Sequence, residues 1–245
     1  MAKPRFVLLQ ARNPGDPARE AEHIAFAARM GVAPETLTPV DILTTPLVPA
    51  TLDGADGVLV GGAGQYSVLD DLPAIAEFCD FLADTASSGV PMFASCFGFQ
   101  ALVLGLGGEV ICAEDRAEVG TYMLKTTASA SEDPVFGALP DAFSAQLGHK
   151  DQASVLPSCL EHLASSDKTV YQAFRVRGQP TWATQFHPEL TWRENQDRFR
   201  RYMPEYGKLF GEAAAQAQLD AHFPSPDANL LLARFFAHCF AGETP

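Results

Sequence analysis

The sequence predicts an α/β protein whose open, mostly parallel central sheet carries helices on both faces, with a smaller antiparallel sheet or hairpin beside it. Three observations lead there. Apolar runs of strand length alternate with segments of helical periodicity over the N-terminal half, as in strands joined by crossover helices. Runs such as Phe6-Val7-Leu8-Leu9 and Val58-Leu59-Val60 are apolar at every position, as strands covered on both sides must be. After Gly108 the strand-like stretches become shorter and follow one another closely, which suits partly antiparallel pairing.

Phe6 to Leu9 is the first buried strand, and Arg12-Asn13-Pro14-Gly15-Asp16-Pro17 supplies turn chemistry after it. Ala18 to Met30 is helical, stopped by Gly31. Leu37 to Leu43 is a weaker second strand, and Val58 to Val60 is a buried one followed directly by Gly61-Gly62-Ala63-Gly64. Asp71 to Asp84 is a helix with Ile75, Phe78 and Leu82 on one face. A further buried strand ends at Ala94, and a helical pattern opens near Gly98. Beyond Gly108, strands are expected at Val110 to Cys112, Gly120 to Thr127 and Ala142 to Leu147. Thr169 to Val176 and Thr181 to Phe186 form a hairpin around Arg177-Gly178-Gln179-Pro180. Two helical stretches close the chain, Trp192 to Ala217, broken at Pro204, and Asp227 to Phe240. One domain over residues 1–245 is expected, with a helical extension from about 190 to 245.

Composition narrows the function classes. With 47% hydrophobic and 19% charged residues the chain is well cored. A net charge of −13 argues against nucleic acid, which needs clustered Lys and Arg. Arg193 to Arg201 is the one basic cluster, and its interleaved Glu194 and Asp197 suit a solvated helix face. No run is long enough to span a membrane, and the start of the chain has no signal-peptide pattern. Five cysteines without paired spacing fit a reducing compartment, hence a cytoplasmic location.

The chemistry centres on Cys96. It falls on the bend between the strand ending at Ala94 and the helix that follows, with Gly98 two residues on. Small residues permit a sharp bend there. A thiol at a helix N-terminus is expected to be biased towards thiolate, although a free cysteine is also a common inert core residue. The second anchor is Gln185-Phe186-His187-Pro188-Glu189. His187 falls at a strand end, where such sheets present catalytic groups. Pro188 biases it to an extended conformation, in which Glu189 projects to the same side. Thiol, imidazole and an orienting carboxylate make a nucleophilic set. Third, Gly61-Gly62-Ala63-Gly64 brings backbone N–H groups close to a substrate. Paired with the N–H of Phe97 they could form an oxyanion hole, or they could be a purely structural turn. No P-loop or dinucleotide fingerprint is present.

These pieces resemble the class I, triad-type glutamine amidotransferases, most closely the glutaminase part of glutamine-hydrolysing GMP synthase and its stand-alone relatives. The family's Gly-x-Cys-x-Gly-x-Gln elbow corresponds to Ala94-Ser95-Cys96-Phe97-Gly98-Phe99-Gln100. Its Gly-Gly-Pro-x-Ser-Val stretch corresponds to Gly61-Gly62-Ala63 and, after a small insertion, Ser67-Val68. A Ser-His-Gly-Asp segment is echoed by Gly148-His149-Lys150-Asp151, and Gln185 to Glu189 is identical to the closing motif. The elbow glycine is replaced by Ala94, the proline by Ala63 and a loop glycine by Lys150, while Phe99 stands where a polar residue is frequent.

The resemblance implies a flavodoxin-like fold and hydrolysis of the glutamine side-chain amide. Cys96 is the implied nucleophile, His187 the proton shuttle and Glu189 its orienter, with Gly62 and Phe97 as oxyanion donors. Gly61, Gln100, Gly148 and His149 are the implied substrate contacts, although His149 is as readily a satisfied loop histidine. No cofactor and no metal are implied. Glutamine or another γ-glutamyl small molecule is the expected partner, with a separate synthetase subunit to receive ammonia if the chain is a glutaminase subunit. Two other readings stay open: a self-sufficient γ-glutamyl peptide or amide hydrolase, and an inactive binding or regulatory relative. Cys79, Cys112, Cys159 and Cys239 are expected to be packing residues, and Trp182 and Trp192 core or interface residues.

Overall fold

The computed structural model describes residues 3–240. In chain order the N-terminal half runs β1 (Phe6–Ala11), α1 (Ala18–Met30), β2 (Leu37–Asp41), β3 (Gly57–Ala63), α2 (Pro73–Ser87), β4 (Met92–Ser95) and α3 (Phe97–Gly105). Short strands follow: β5 (Glu109–Cys112), β6 (Glu118–Thr126), β7 (Ala142–His149), β8 (Asp151–Val155), β9 (Leu160–Ser165), β10 (Ala173–Val176) and β11 (Thr181–Thr184). Four helices end the chain: α4 (Trp192–Arg201), α5 (Met203–Phe210), α6 (Glu212–Asp220) and α7 (Leu231–Phe240).

Nine strands form one sheet in the order β2-β1-β3-β4-β11-β10-β9-β6-β7, and β5 pairs with β8 apart from it. From β2 to β11 every pairing is parallel. From β11 to β7 every pairing is antiparallel. The antiparallel strands therefore extend the main sheet, and only β5 and β8 stand apart. β8 and β9 are strands that the sequence pattern did not separate from loop.

Side-chain alternation divides the core in two. Phe6, Leu8, Leu59, Phe93 and Trp182 face a cluster with Phe26, Phe235 and Phe240 from α1 and α7. Their neighbours Val7, Leu9, Val58, Val60, Met92 and Ala94 face Ile75, Phe78, Leu82 and Phe97 from α2 and α3. Successive residues of a strand point to opposite faces, so fully apolar runs bind a helical layer on each side. Trp182 is a core residue as expected: fully buried, it donates its indole N–H to Asp133 at 3.0 Å, with Arg175 4.7 Å above its ring.

The helical tail breaks twice. α4 ends at Tyr202, Pro204 sits in the first turn of α5, and Gly211 at φ 85° separates α5 from α6. Proline is at home in a first turn, so the helix stops just before it rather than on it. Val119, Phe199, Ala215 and Leu219 give α4, α6 and β6 a small core of their own. No helix among the described residues is long and apolar enough to cross a membrane. Of the cysteines expected to be packing residues, Cys79 is buried, but Cys112 and Cys159 are exposed.

Candidate active site

The carboxyl ends of β1, β3, β4 and β11 converge on one region, where parallel α/β sheets place their ligands. Cys96 stands between β4 and α3 with φ 49° and ψ −95°, the one non-glycine residue at positive φ among those described. Its N–H donates to the Thr184 carbonyl at 2.7 Å, and its carbonyl accepts from the Gln100 N–H at 3.1 Å. The strained turn is thus fixed from both sides. Gly98 makes it possible: a Cβ there would lie 2.5 Å from Val60 Cγ1. Phe97 opens α3, and the N–H of a first helical residue has no intrahelical acceptor.

The thiol departs from the expected thiolate bias. Burial pushes it up to about 12; the Arg198 charge opposes this, while Glu189 and Asp151 reinforce it. A helix N-terminus acts only within its first turn and is modest beside the desolvation of an enclosed thiol. The resting sulfur is therefore protonated at neutral pH. It accepts a hydrogen bond from Gln185 Nε2 at 3.6 Å, and Gln185 in turn accepts from Gln100 Nε2 at 3.2 Å.

His187 and Glu189 are both buried, and His187 Nδ1 lies 2.6 Å from Glu189 Oε1. The backbone reaches this geometry through a tight turn rather than an extended run, with Leu190 N–H donating to the His187 carbonyl at 3.3 Å. Asn229 braces the turn by donating to the carbonyls of Pro188 and Leu190, each at 2.8 Å. Burial lowers the affinity of His187 for a second proton; Glu189 opposes and Arg198 adds to that effect. Burial works against the ionised form of Glu189, but its pairing and hydrogen bond with His187, together with the Arg198 charge, outweigh it and hold the carboxyl below its ordinary value. A neutral imidazole oriented by a carboxylate is the form a general base needs. Among the described residues no hydrogen bond joins the thiol to the imidazole; such contacts commonly tighten only when substrate is bound.

Two side chains absent from the motif organise this region. Glu22 of α1, fully buried, accepts from Arg12 Nη2 at 2.7 Å, Gln10 Nε2 at 2.9 Å, the Gly62 N–H at 3.2 Å and Arg198 Nη2 at 3.4 Å. The Gly62 N–H, expected to face an oxyanion, is thereby committed to a carboxylate. Gly61, expected to contact substrate, lies against that same carboxylate, which a side chain at Gly61 would strike. Gly62 has a different steric role, since a Cβ there would lie 2.9 Å from His187 Cε1. Arg198 corrects the reading of its helix as a wholly solvated face: with its side chain 15% exposed, it turns inward onto His187 and Glu22.

A cavity of about 680 Å³ opens beside Cys96. Phe97, Gln100, Gly148 and His149 line it as the sequence led one to expect, whereas Gly61, Gly62, His187 and Glu189 are not among its lining residues. The Gln100 amide is engaged internally, donating to the Asp151 carbonyl at 2.7 Å, so it shapes the wall. His149 is engaged internally as well: its Nδ1 meets the Asp151 carbonyl at 3.1 Å, while its Nε2 lies 3.3 Å from Glu118 Oε2 without hydrogen-bond geometry. Ser67 caps the opposite lip by donating to Asp151 Oδ2 at 2.6 Å. Tyr202 and Tyr206 from the helical tail form the remaining aromatic wall.

Some of this was readable beforehand. Gln185 stands inside the matched motif. Glu22 falls four residues after Ala18 and three before Ala25, on the buried stripe of α1, where an unpaired carboxylate is out of place. Arg198 sits one residue from buried Phe199, on a helix otherwise too charged to reveal a face.

This fold and this grouping define the class, and sequence comparison agrees. The profile of the class I glutamine amidotransferases matches residues 34–202, and the chain belongs to that family. Glutamine-hydrolysing GMP synthase from Porphyromonas gingivalis is 30% identical over 143 residues, 58% of this chain and 26% of that protein. The aligned stretch is thus about a quarter of that relative's length. In Methanocaldococcus jannaschii the enzyme of the same name has a subunit that is 31% identical over 127 residues, 52% of this chain and 65% of that one. Among solved structures, a glutamine amidotransferase from Thermotoga maritima superposes with a TM-score of 0.71 at 18% identity, covering 97% of this chain and 99% of that chain. A Thermoplasma acidophilum protein assigned as one subunit of GMP synthase gives 0.63 at 23% identity, over 90% and 99% of the two chains. At these identities the structural likeness concerns the fold.

Proposed function

We propose that this chain hydrolyses γ-glutamyl amides through a thioester on Cys96, glutamine being the simplest substrate. The sulfur attacks the γ-carbonyl carbon while its proton passes to His187. The imidazole returns that proton to the departing nitrogen, and ammonia leaves. Water activated by His187 then cleaves the thioester and releases glutamate. Glu189 keeps the ring in one tautomer and orientation. The Phe97 N–H serves the oxyanion. With Gly62 committed to Glu22, the glycine loop's contribution falls to Ala63 or Gly64, both on the cavity wall. The observation that carries this reading is the 2.6 Å His187–Glu189 contact at the carboxyl ends of the central strands, where the strained Cys96 turn also lies.

Ammonia would go to a separate synthetase subunit. Two relatives support this, since each is named as one subunit of GMP synthase rather than as the whole enzyme. One observation favours a second substrate class. A cavity of about 680 Å³ lies in the range that accommodates drug-sized ligands, so it can hold a γ-glutamyl group together with a leaving amino acid.

Glutamine and a set of γ-glutamyl dipeptides, assayed separately for ammonia and glutamate, test both readings. Equal ammonia and glutamate from glutamine supports the first. A higher kcat/KM with dipeptides than with glutamine supports the second, and no glutamate from any of them removes both. Within this scheme Glu189→Ala slows turnover less than His187→Ala, because the carboxylate only orients and polarises the base. Equal losses in steady-state kinetics would show that Glu189 does more than that.

A further inference from the structure

Arg198 reaches both the candidate base and the network beneath it. Its Nη1 lies 3.2 Å from His187 Nε2 and 3.4 Å from Nδ1. Such near-equal distances place the amine over the ring rather than along either lone pair. Its Nη2 is 3.4 Å from Glu22 Oε2, the atom that also accepts the Gly62 N–H at 3.2 Å. The Cε1 edge of the ring meets Gly62, where even a Cβ would come within 2.9 Å of Cε1 and 3.8 Å of Arg198 Nη1. A capping box between Thr191 and Glu194 starts α4 and fixes the helix that delivers the guanidinium.

We propose that Arg198 is a positioning residue of the hydrolytic centre: anchored on Glu22, it clamps one face of the His187 ring, whose Cε1 edge meets Gly62, and fixes a positive charge in that centre. This rests on the hydrolytic reading of Cys96 and His187 given above. A cation against the imidazole disfavours a second proton on it, and the same cation favours the thiolate. One charge thus prepares both partners for proton transfer. The opposing charges are Glu189 beside the ring, Glu22 from α1 and Asp151 from β8, while burial keeps the phenol of Tyr206 from α5 uncharged. Lysine cannot substitute fully, because only the guanidinium fork spans ring and carboxylate together.

The test uses Arg198→Met and Arg198→Lys in the full chain. Readouts are the pH profile of kcat/KM and the iodoacetamide alkylation rate of the Cys96 peptide, followed by mass spectrometry. In the methionine variant alkylation slows roughly tenfold at each pH below the thiol's titration, and the acid limb of the profile moves to higher pH. Mere loosening of the structure would instead speed alkylation and leave the limb in place, and that result, or an unchanged variant, overturns the proposal. Should the methionine variant not fold, the lysine variant decides. A fall in kcat with the acid limb unmoved supports the clamp, and any other result overturns it. If wild-type turnover persists in Cys96→Ala, the hydrolytic reading itself has failed, independently of Arg198.

Discussion

Replacing Cys96 with alanine lowers glutamate release by roughly 10⁵-fold or more, the scale on which removing a nucleophile from a concerted set acts. The substitution removes one sulfur from a turn whose geometry the backbone maintains, through the Thr184 and Gln100 hydrogen bonds and the packing of Gly98 on Val60. The unfolding temperature therefore stays close to that of the wild type. Residual activity comes only from substrate binding and the oxyanion donors, neither of which can form a thioester. Turnover within tenfold of wild type, in a variant with unchanged circular dichroism, would mean that another group performs the attack.

Replacing Glu22 with alanine costs about 3–5 kcal/mol of stability, the penalty for stranding a buried charge. Arg12 is 1% exposed; without Glu22 it keeps only Asp16, at 3.4 Å, as a counter-charge. The Gly62 N–H and Gln10 Nε2 lose an acceptor in the same step. For a chain of this size the unfolding midpoint falls by roughly 10 °C. Glu22→Gln, which keeps an acceptor oxygen but not the charge, is milder. Thermal or denaturant unfolding of the two variants measures both effects. A loss below about 1 kcal/mol for the alanine variant would show that Arg12 finds another partner.

Much of the architecture was legible because it rests on local patterns. In β1, Phe6 and Leu8 face one helical layer and Val7 and Leu9 the other, and an unbroken apolar run encodes just that. Gly98 was legible as the residue that lets a bend be sharp, and the spacing of His187 and Glu189 brought them together, although through a turn. The extent of the antiparallel region was not legible, since β8 and β9 are short and only half buried along their length. Nor was the true employment of Gly62. Its N–H is committed by Glu22, forty residues away in sequence, and no local pattern records so distant a partner. Charge state failed for a related reason. A helix N-terminus is visible in sequence, whereas the enclosure that pushes the Cys96 thiol up to about 12 belongs to the folded molecule. Arg198 was hidden among neighbouring arginines, of which Arg200 and Arg201 are exposed.

The central claim is that this buried sulfur becomes covalently bonded to a γ-glutamyl group during turnover. Rapid acid quenching of the enzyme with glutamine or a γ-glutamyl dipeptide, followed by peptide mapping, tests it most directly. The account predicts one glutamyl group on the peptide containing Cys96, accumulating within the first turnover and removed by alkaline hydroxylamine. A peptide that stays unmodified while glutamate is being released would contradict it.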